Sequence, residues 1–536
     1  MKKLFTIALI FGSLIANAQD FDSTFASIGY TAGATWPQAN CFLQQPDGKL
    51  IVGVNEHLAV TLCRYNEDGT IDTTFGPYGR AMLNLGICVV HSGTDNVVTD
   101  LAIQPDGKIL GVGYGTYCYG ALCGNTNMEI FRFNSNGTAD STFGDCGIMQ
   151  SDRVVGGYPA TLTYSHLSHI KLLPGGKFIV SGFGQAGGAT VYPLLIRFNS
   201  DGTLDHTFGT GGITTLNGVY QNVWDNNPRD ISIDDMGNIT AIGTNIRPIA
   251  GFHTYVQVVR VDSSGARDYA FGDSGVVNLT YGSSNGATNI KTRADGKYVI
   301  LGKEDAMASL TILNPDGSID STIFPAGYDS LAIPGYGSNN ATSLIVQPDN
   351  KMVISGHGMN GYSACAYMGR WNEDGTPDPA FNGYGLDSFN FGVYTHWQSG
   401  TFLNDMKVVC GNKIIAVGGI TQSTSSPDQG MFIIRYNMED SVACTYVMPP
   451  PLSASIVQQT NNVLVYPNPA EYDLTIENAV PNSRFVMLNA LGQQVVSGSI
   501  TYAKETVSLH RLPTGSYILQ LTDPNGNRAS VVVSKQ

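Results

Sequence analysis

Gln104-Pro105-Asp106-Gly107-Lys108-Ile109-Leu110-Gly111-Val112-Gly113 carries the motif that decides the architecture of this chain. The same Q-P-D-G-K and apolar run stands at Gln45–Val52 and, as Q-P-D-N-K, at Gln347–Gly356. Between copies lies a second phrase, R-[YF]-N-x-[DN]-G-x-x-D-x-x-F. It first reads Arg64-Tyr65-Asn66-Glu67-Asp68-Gly69-Thr70-Ile71-Asp72-Thr73-Thr74-Phe75. A fixed period means one supersecondary unit placed many times over.

Alignment on the Lys after the turn gives Lys49, Lys108, Lys177, Asn238, Lys297, Lys351 and Lys413, at intervals of 54 to 69 residues. That length holds four strands and their loops. The run after each Lys is rich in Val and Ile, and it usually closes on a Gly, as at Gly113, Gly182, Gly243, Gly302, Gly356 and Gly418. Such runs predict strands. Asp68-Gly69, Asn136-Gly137, Asp201-Gly202, Asp316-Gly317 and Asp374-Gly375 predict tight turns that need positive φ. Phe75, Phe143, Phe208, Phe271, Phe324 and Phe381 follow as core anchors.

The last unit starts at Arg435-Tyr436-Asn437 but lacks its D-x-x-F, whereas Asp22-Ser23-Thr24-Phe25 supplies that piece at the other end of the chain. Lacing the first segment into the last sheet would leave no open edge. The reading is an all-β chain: a seven-bladed β-propeller closed by its N-terminal strand, then a small C-terminal β-sandwich. A linear array or open solenoid is the alternative.

These two phrases resemble the delta-60 repeat family of bacterial secreted proteins, over roughly Asp20 to Cys444. Unit four departs at Asp235-Met236-Gly237-Asn238 and Ser264-Gly265, unit three has Gly175 for the first Asp, and unit five has Ile312 for Arg. The resemblance brings no reaction with it.

Residues 1–18 read as a signal peptide: basic Met1-Lys2-Lys3, an apolar core Leu4–Ile15, and the A-x-A site Ala16-Asn17-Ala18, which leaves Gln19 first in the mature chain. No other run approaches the ~20 apolar residues of a membrane span. Residues 19–445 hold the repeats, and 446–463, with Pro449-Pro450-Pro451, read as a linker. Residues 464–536 show short alternating strands between turns, which predict the sandwich. Tyr466-Pro467-Asn468-Pro469, then Leu512-Pro513-Thr514-Gly515-Ser516-Tyr517, then a Val-rich end with Lys535 closely resemble the type A sorting domain of the type IX secretion system of Bacteroidota. That resemblance implies a partner, the secretion machinery, and export through the periplasm to the outer surface or the medium. An adhesive module that stays attached is the other reading of 464–536.

A net charge of -14 with only 13% charged residues argues against nucleic acid, which needs clustered Lys and Arg. The nine cysteines include no C-x-x-C pair, six lie before residue 150, and their connectivity is not readable from sequence. Asn66, Asp68 and Asp72 have the look of a calcium loop, but three oxygens fall short of the six to eight calcium takes. Turn residues bonding their own backbone explain the same letters. Otherwise no cofactor is indicated. Each Arg stands eight residues before an Asp, as Arg64 does before Asp72, which suggests either a ring of charge or a structural pair in each unit. The nine His are scattered, and no G-x-S-x-G or H-E-x-x-H occurs.

No catalytic residue is therefore assigned. Two aromatic stretches suit contact with a sugar or a protein: Tyr114, Tyr117 and Tyr119, and Tyr394, His396 and Trp397. The expected role is a non-catalytic binding module for polysaccharide or a surface protein. A glycan-degrading enzyme with its site at the propeller mouth, or a structural matrix component, are the alternatives.

Overall fold

The computed structural model describes residues 21–27, 30–33, 38–57, 59–84, 93–119, 122–150, 162–186, 191–216, 228–247, 253–282, 284–331, 333, 337–360, 363–381, 385–389, 400–409, 413–421, 429–438, 464–466, 473–477, 480–488, 494–501, 504–509, 512, 515–524 and 528–535. Almost all regular structure in them is β, and helix is limited to two single 3₁₀ turns at Pro77–Gly79 and Pro174–Gly176. A larger compact unit takes Met1–Lys171 and Phe178–Tyr446, and a smaller one takes Val447–Gln536 with the short segment Leu172–Lys177.

In the first repeat Ala39–Gln44, Leu50–Val54, Ala59–Tyr65 and Arg80–Asn84 pair in sequence order into an antiparallel sheet. The fourth repeat does the same with Pro228–Ile233, Ile239–Arg247, His253–Val261 and Val276–Leu279. Asn285–Thr292, Tyr298–Glu304, Met307–Leu313 and Asp329–Leu331 form the fifth. Repeats two and three share one sheet through a parallel pairing at Tyr164↔Thr126, and six and seven through Ala364↔Gly400. Each sheet is open. In the seventh repeat the place beside Gln429–Asn437 is taken by Tyr30–Gly33, with Tyr30 opposite Ile434 and Gly33 opposite Met431.

The two phrases build the turns at one end of every sheet. In the first, Gln45 N donates to Lys49 O at 2.7 Å and Gly48 takes φ 83°. In the second, Asn66 N donates to Thr70 O at 2.7 Å, and Thr70 N donates to Asp68 Oδ1 at 2.9 Å. Gly69 at φ 83° is needed twice over. It occupies the left-handed region, and a Cβ there would lie 2.9 Å from the ring of Phe25. Gly137 meets Phe75 in the same way, Gly202 meets Phe143, Gly265 meets Phe208 and Gly317 meets Phe271. The Phe of one repeat is thus seated on the turn glycine of the next.

The Arg makes a second link of the same kind. Arg64 Nη1 donates to Ser135 O at 2.8 Å, Arg132 to Ser200 O, Arg197 to Ser263 O and Arg260 to Pro315 O, each one repeat ahead. Arg435 of the seventh repeat donates to Glu67 O of the first at 2.5 Å. The inner strands also touch their successors, and Gly400–Val409 touches Ala39–Gln44.

In the smaller unit Leu464–Tyr466, Asp473–Glu477 and Lys504–Ser508 form one sheet. Gln494–Ile500, Ser483–Leu488, Gly515–Thr522 and Arg528–Lys535 form the other. Alternate residues of both, including Leu474, Ile476, Phe485, Met487, Leu519 and Val533, fill one core, as period-two patterning requires. Tyr517 and Lys535 of the sorting motif are buried and Leu512 is half-buried against that core. Tyr466 and Gly515 lie on strands, whereas Pro467, Asn468, Pro469 and Pro513 are outside the described residues.

Candidate functional site

Eight residues before each turn Lys, or before Asn238, stand Cys41, Asp100, His169, Asp230, Asn289, Ser343 and Asp405. At six of these positions the inner strand carries a register shift, so a β-bulge aims the side chain away from the regular ladder. The acids among them tie repeats together. Asp100 accepts from Leu101 N at 2.9 Å and, one repeat on, from Ile170 N at 3.1 Å. Asp230 accepts from Ile231 N, Ile290 N and Asn289 Nδ2, and from Lys291 Nζ at 2.5 Å. Asp405 accepts from Met406 N and Lys407 Nζ, and from Phe42 N of the first repeat at 3.2 Å. Lys171 stands 4.0 Å from Asp100, and His169 Nε2 stands 3.9 Å from Asp230.

The electrostatics of these acids bear on what they can do. Burial works to raise the Asp100 and Asp230 carboxyls, but the facing Lys and His groups and the backbone N–H donors outweigh it and hold both below the usual range. Burial pushes the His169 imidazole down against the pull of those same acids. Acid–base catalysis needs a pair of groups whose pKa values are driven apart. Here Asp100 and Asp230 are both driven the same way, downward, and each is engaged by backbone and side-chain donors. Among the described residues, no three His, Cys, Asp or Glu side chains are placed to hold a metal.

The other charged set is at the turns. Asp72 Oδ2 accepts from Arg64 Nε at 2.7 Å and Lys49 Nζ at 2.8 Å, while its Oδ1 accepts from Thr74 N and Oγ1. Asp68 Oδ1 accepts from Thr70 N and Oγ1, and Asn66 Nδ2 donates to Thr70 Oγ1 at 3.0 Å. The three calcium candidates are thus engaged with the turn itself, and two cations stand beside Asp72. Arg64 also lies over the Phe75 ring at 4.5 Å, as Arg132 does over Phe143 at 4.4 Å. In the fifth repeat, which has Ile312 in place of the Arg, Lys297 is the cation on Asp320, at 2.7 Å, beside the Thr322 N and Oγ1 donors.

The opposite end of each sheet carries the loops between second and third strands and those leading to the next repeat. Here the repeats differ: the link from Leu279 to Asn285 is short and that from Thr215 to Pro228 long, while the first turn keeps one length in repeats one to six. Tyr114 lies near this end, stacked on His166 of the third repeat at 3.8 Å and 3°, with burial raising its phenol. Tyr117 and Tyr119 continue its strand, but their side chains are outside the described residues, as are Tyr394, His396, Trp397, Ala18 and Gln19.

At this end, repeats four to six form a pocket of about 260 Å³ that sequence reading missed. Its lining includes Arg229, Thr244, Thr254, Asn285, Lys303 and Asn340. These come from three repeats without common spacing, so no motif marks them.

Cys41 and Cys63 are buried free thiols, the latter pushed up to about 12 chiefly by burial, and Cys146 is an exposed free thiol. Cys118 and Cys123 face each other in register across a hairpin.

Motif-joined sheets with a separate two-sheet C-terminal unit define a secreted, propeller-like repeat protein, and comparison with known proteins agrees. Residues 45–75, 104–143, 174–208 and 347–381 match the model of the domain of unknown function DUF5122 β-propeller, and residues 464–535 match that of the secretion system C-terminal sorting domain. The matched repeats are one, two, three and six; the unmatched ones are four and five, whose phrases depart at Asn238, Ser264 and Ile312, and seven, whose phrase breaks off after Asn437. The chain is therefore exported by the type IX secretion machinery to the outer cell surface or beyond. Among the described residues no helix is long and apolar enough to cross a membrane.

Among solved structures the chain is similar to a protein of unknown function from Dyadobacter fermentans, at 10% identity over 76% of this chain and 100% of that one, TM-score 0.36. It is similar to PorZ, an essential surface component of the type IX secretion system of Porphyromonas gingivalis, at 10% identity over 93% and 81%, TM-score 0.25. A Penicillium chrysogenum α-L-arabinanase matches at 11% identity over 61% and 91%, TM-score 0.38. Likeness at this level transfers no activity. No curated protein matches the chain.

Proposed function

We propose that this surface protein is a non-catalytic binding module, a seven-bladed propeller closed by Asp22–Gly33, that holds polysaccharide or a partner protein on its loop face. The division of labour between the two ends of the sheets carries the reading. The recurring Arg and Phe side chains join one repeat to the next while Asn66, Asp68 and Asp72 fix their own turn, whereas the connections whose lengths differ from repeat to repeat belong to the other end of the strands. Binding residues concentrate on loops that a rigid scaffold positions. The axial carboxylates, held ionised by Lys and backbone donors, support a cohesive role for the cluster rather than proton transfer. The closed ring is supported by Arg435 reaching Glu67 O and Asp405 reaching Phe42 N.

The test is to incubate the secreted form with a panel of polysaccharides, with and without calcium, and to assay both retention and released oligosaccharides. Retention without products is expected. Released products would replace this reading with an enzyme, and neither outcome would replace it with a protein partner or matrix role.

A further inference from the structure

The pocket of repeats four to six is built to donate hydrogen bonds. Asn285, buried, starts the inner strand of repeat five and fixes the floor. Its Nδ2 donates to Thr254 O at 2.8 Å and Gly282 O at 3.1 Å, and its Oδ1 accepts from Tyr281 N at 3.0 Å. Thr254 Oγ1 accepts from Asn285 N at 2.6 Å, and Thr244 Oγ1 accepts from Ala287 N at 3.0 Å. A hydroxyl that accepts from the backbone keeps its own proton to give. Lys303 adds a cationic donor, and Arg229, which also has a partner of its own, a second positive charge. Among the described lining residues there is no Asp or Glu; Asp305 accepts from Ser284 N of the lining, and Glu304 accepts from Tyr328 and Ser330. On a chain of net charge -14, this is a cationic, donor-rich hollow.

We infer that the pocket takes the anionic group of an acidic sugar residue, a carboxylate or a sulfate, within a polysaccharide. The inference rests on the binding reading above and assigns its ligand class. Donors from a fixed floor with two flanking cations match an oxyanion, since charge-assisted bonds are the strong ones. A sugar suits the rest of the lining better than a peptide does. The walls are hydroxyl, amide and backbone, with Gly286, Ala287 and Ala341 as the only apolar residues among those lining it. Protein hot spots instead centre on aromatic or branched anchors in dry pockets. The volume, below the ~300–1,000 Å³ of drug-sized sites, fits a single ring.

The test uses the full secreted chain in two matched pairs: polygalacturonate against its methyl ester, and dextran sulfate against dextran. The charged member of a pair should be retained better, with retention falling as salt rises. Arg229→Gln with Lys303→Gln should weaken it roughly ten- to a hundredfold, with an unchanged melting temperature, because Arg229 is exposed and both residues sit at the rim of the floor. Preference for polygalacturonate identifies a uronate ligand, and preference for dextran sulfate a sulfated one.

The proposal is overturned if the double variant holds acidic glycans as the wild type does. Equal binding of the methyl ester overturns it as well, and so does poly-glutamate held as tightly in a pocket-dependent way. Neutral glycans retained by both forms, with no gain from charge, would remove this inference and leave the binding module standing. No glycan retained at all would remove this inference and the polysaccharide half of the binding reading. Met236→Ala, exposed at a turn on the opposite end, is the control and should bind as the wild type.

Discussion

If Asp22–Phe25 completes the last sheet, Phe25 is a core residue of the whole ring and not part of a loose N-terminal arm. Its side chain is fully buried, packed with Leu50, Val52, Ile415 and Val417 from repeats one and seven, and capped by Arg435 at 4.9 Å. Phe25→Ala should therefore cost about 3–5 kcal/mol, the usual range for a core Phe. Phe143→Ala is the internal standard, because Phe143 is equally buried, lies under Arg132, and belongs to a repeat continuous in the chain. Unfolding entropy near ~2.1 cal/mol/K per residue over roughly 420 residues gives ~0.9 kcal/mol/K. The cost then converts to a fall of about 3–6 °C in Tm for either variant if the unit melts as one. The assay is thermal melting by circular dichroism at matched concentration. The reasoning is refuted if Phe143→Ala shows the full fall while Phe25→Ala melts within about 1 °C of the wild type.

Gly69→Ala and Gly175→Ala separate backbone strain from crowding. Both have φ near +80°, but a Cβ at Gly175 meets nothing within 4 Å while one at Gly69 meets the Phe25 ring. Urea unfolding should show about 1 kcal/mol lost at Gly175 and ~1–3 kcal/mol more at Gly69. Asp230→Ala strips Lys291 and the Ile290 N–H of their buried partner and should cost about 3–5 kcal/mol; glycan retention by the folded fraction, measured per folded molecule, should be unchanged. At Asp22, Asp72, Asp140 and Asp230 burial would raise the carboxyl, but Lys, Thr or Arg partners hold it below the ordinary value, and Asp320 is lowered to about 2. A depressed folded pKa gives stability that is complete above the unfolded value near ~4 and is lost as pH falls through the folded one. Tm should hold from pH 7 to 5 and drop steeply below 4; a melt that stays flat to pH 2 would contradict the pairing. Chelation with EDTA should leave Tm unchanged, because Asp68 and Asp72 are already engaged by Thr70, Thr74, Arg64 and Lys49; a fall of several degrees would restore the calcium reading.

The features legible in the sequence are those in which one residue type solves the same problem in each repeat. A turn under a neighbouring Phe ring demands Gly, and holding Asp72 in its own repeat while reaching Ser135 O in the next suits Arg, so Gly69, Arg64 and Phe75 return as letters. The bulge position needs only a side chain able to meet the adjacent repeat, and Cys41, Asp100, His169, Asp230, Asn289, Ser343 and Asp405 all occupy it. Its period is strict and its chemistry is not, so a search by residue type passes over it. Aligning on the turn Lys and reading eight residues back would have exposed it. The pocket was hidden for a different reason: Thr254, Lys303 and Asn340 come from non-equivalent strands of three repeats, and only the fold brings them together. Ile312 shows the limit of the repeat itself, since Lys297 suffices to hold Asp320 where the Arg is missing.

The bond from Arg435 to Asp22 spans 413 positions. Chain-closure entropy across that distance costs on the order of 5 kcal/mol, recovered only when Phe25 and Tyr30 dock as well. The earliest part of the chain to be synthesised is then among the last to find its place. Each middle repeat can pair its own strands as it emerges, but the seventh sheet lacks its outer strand until residue 437 is available to receive it. A chain still being threaded through a membrane channel is thereby kept short of its most stable state, and the final gain in stability arrives in the compartment where both ends are free to meet.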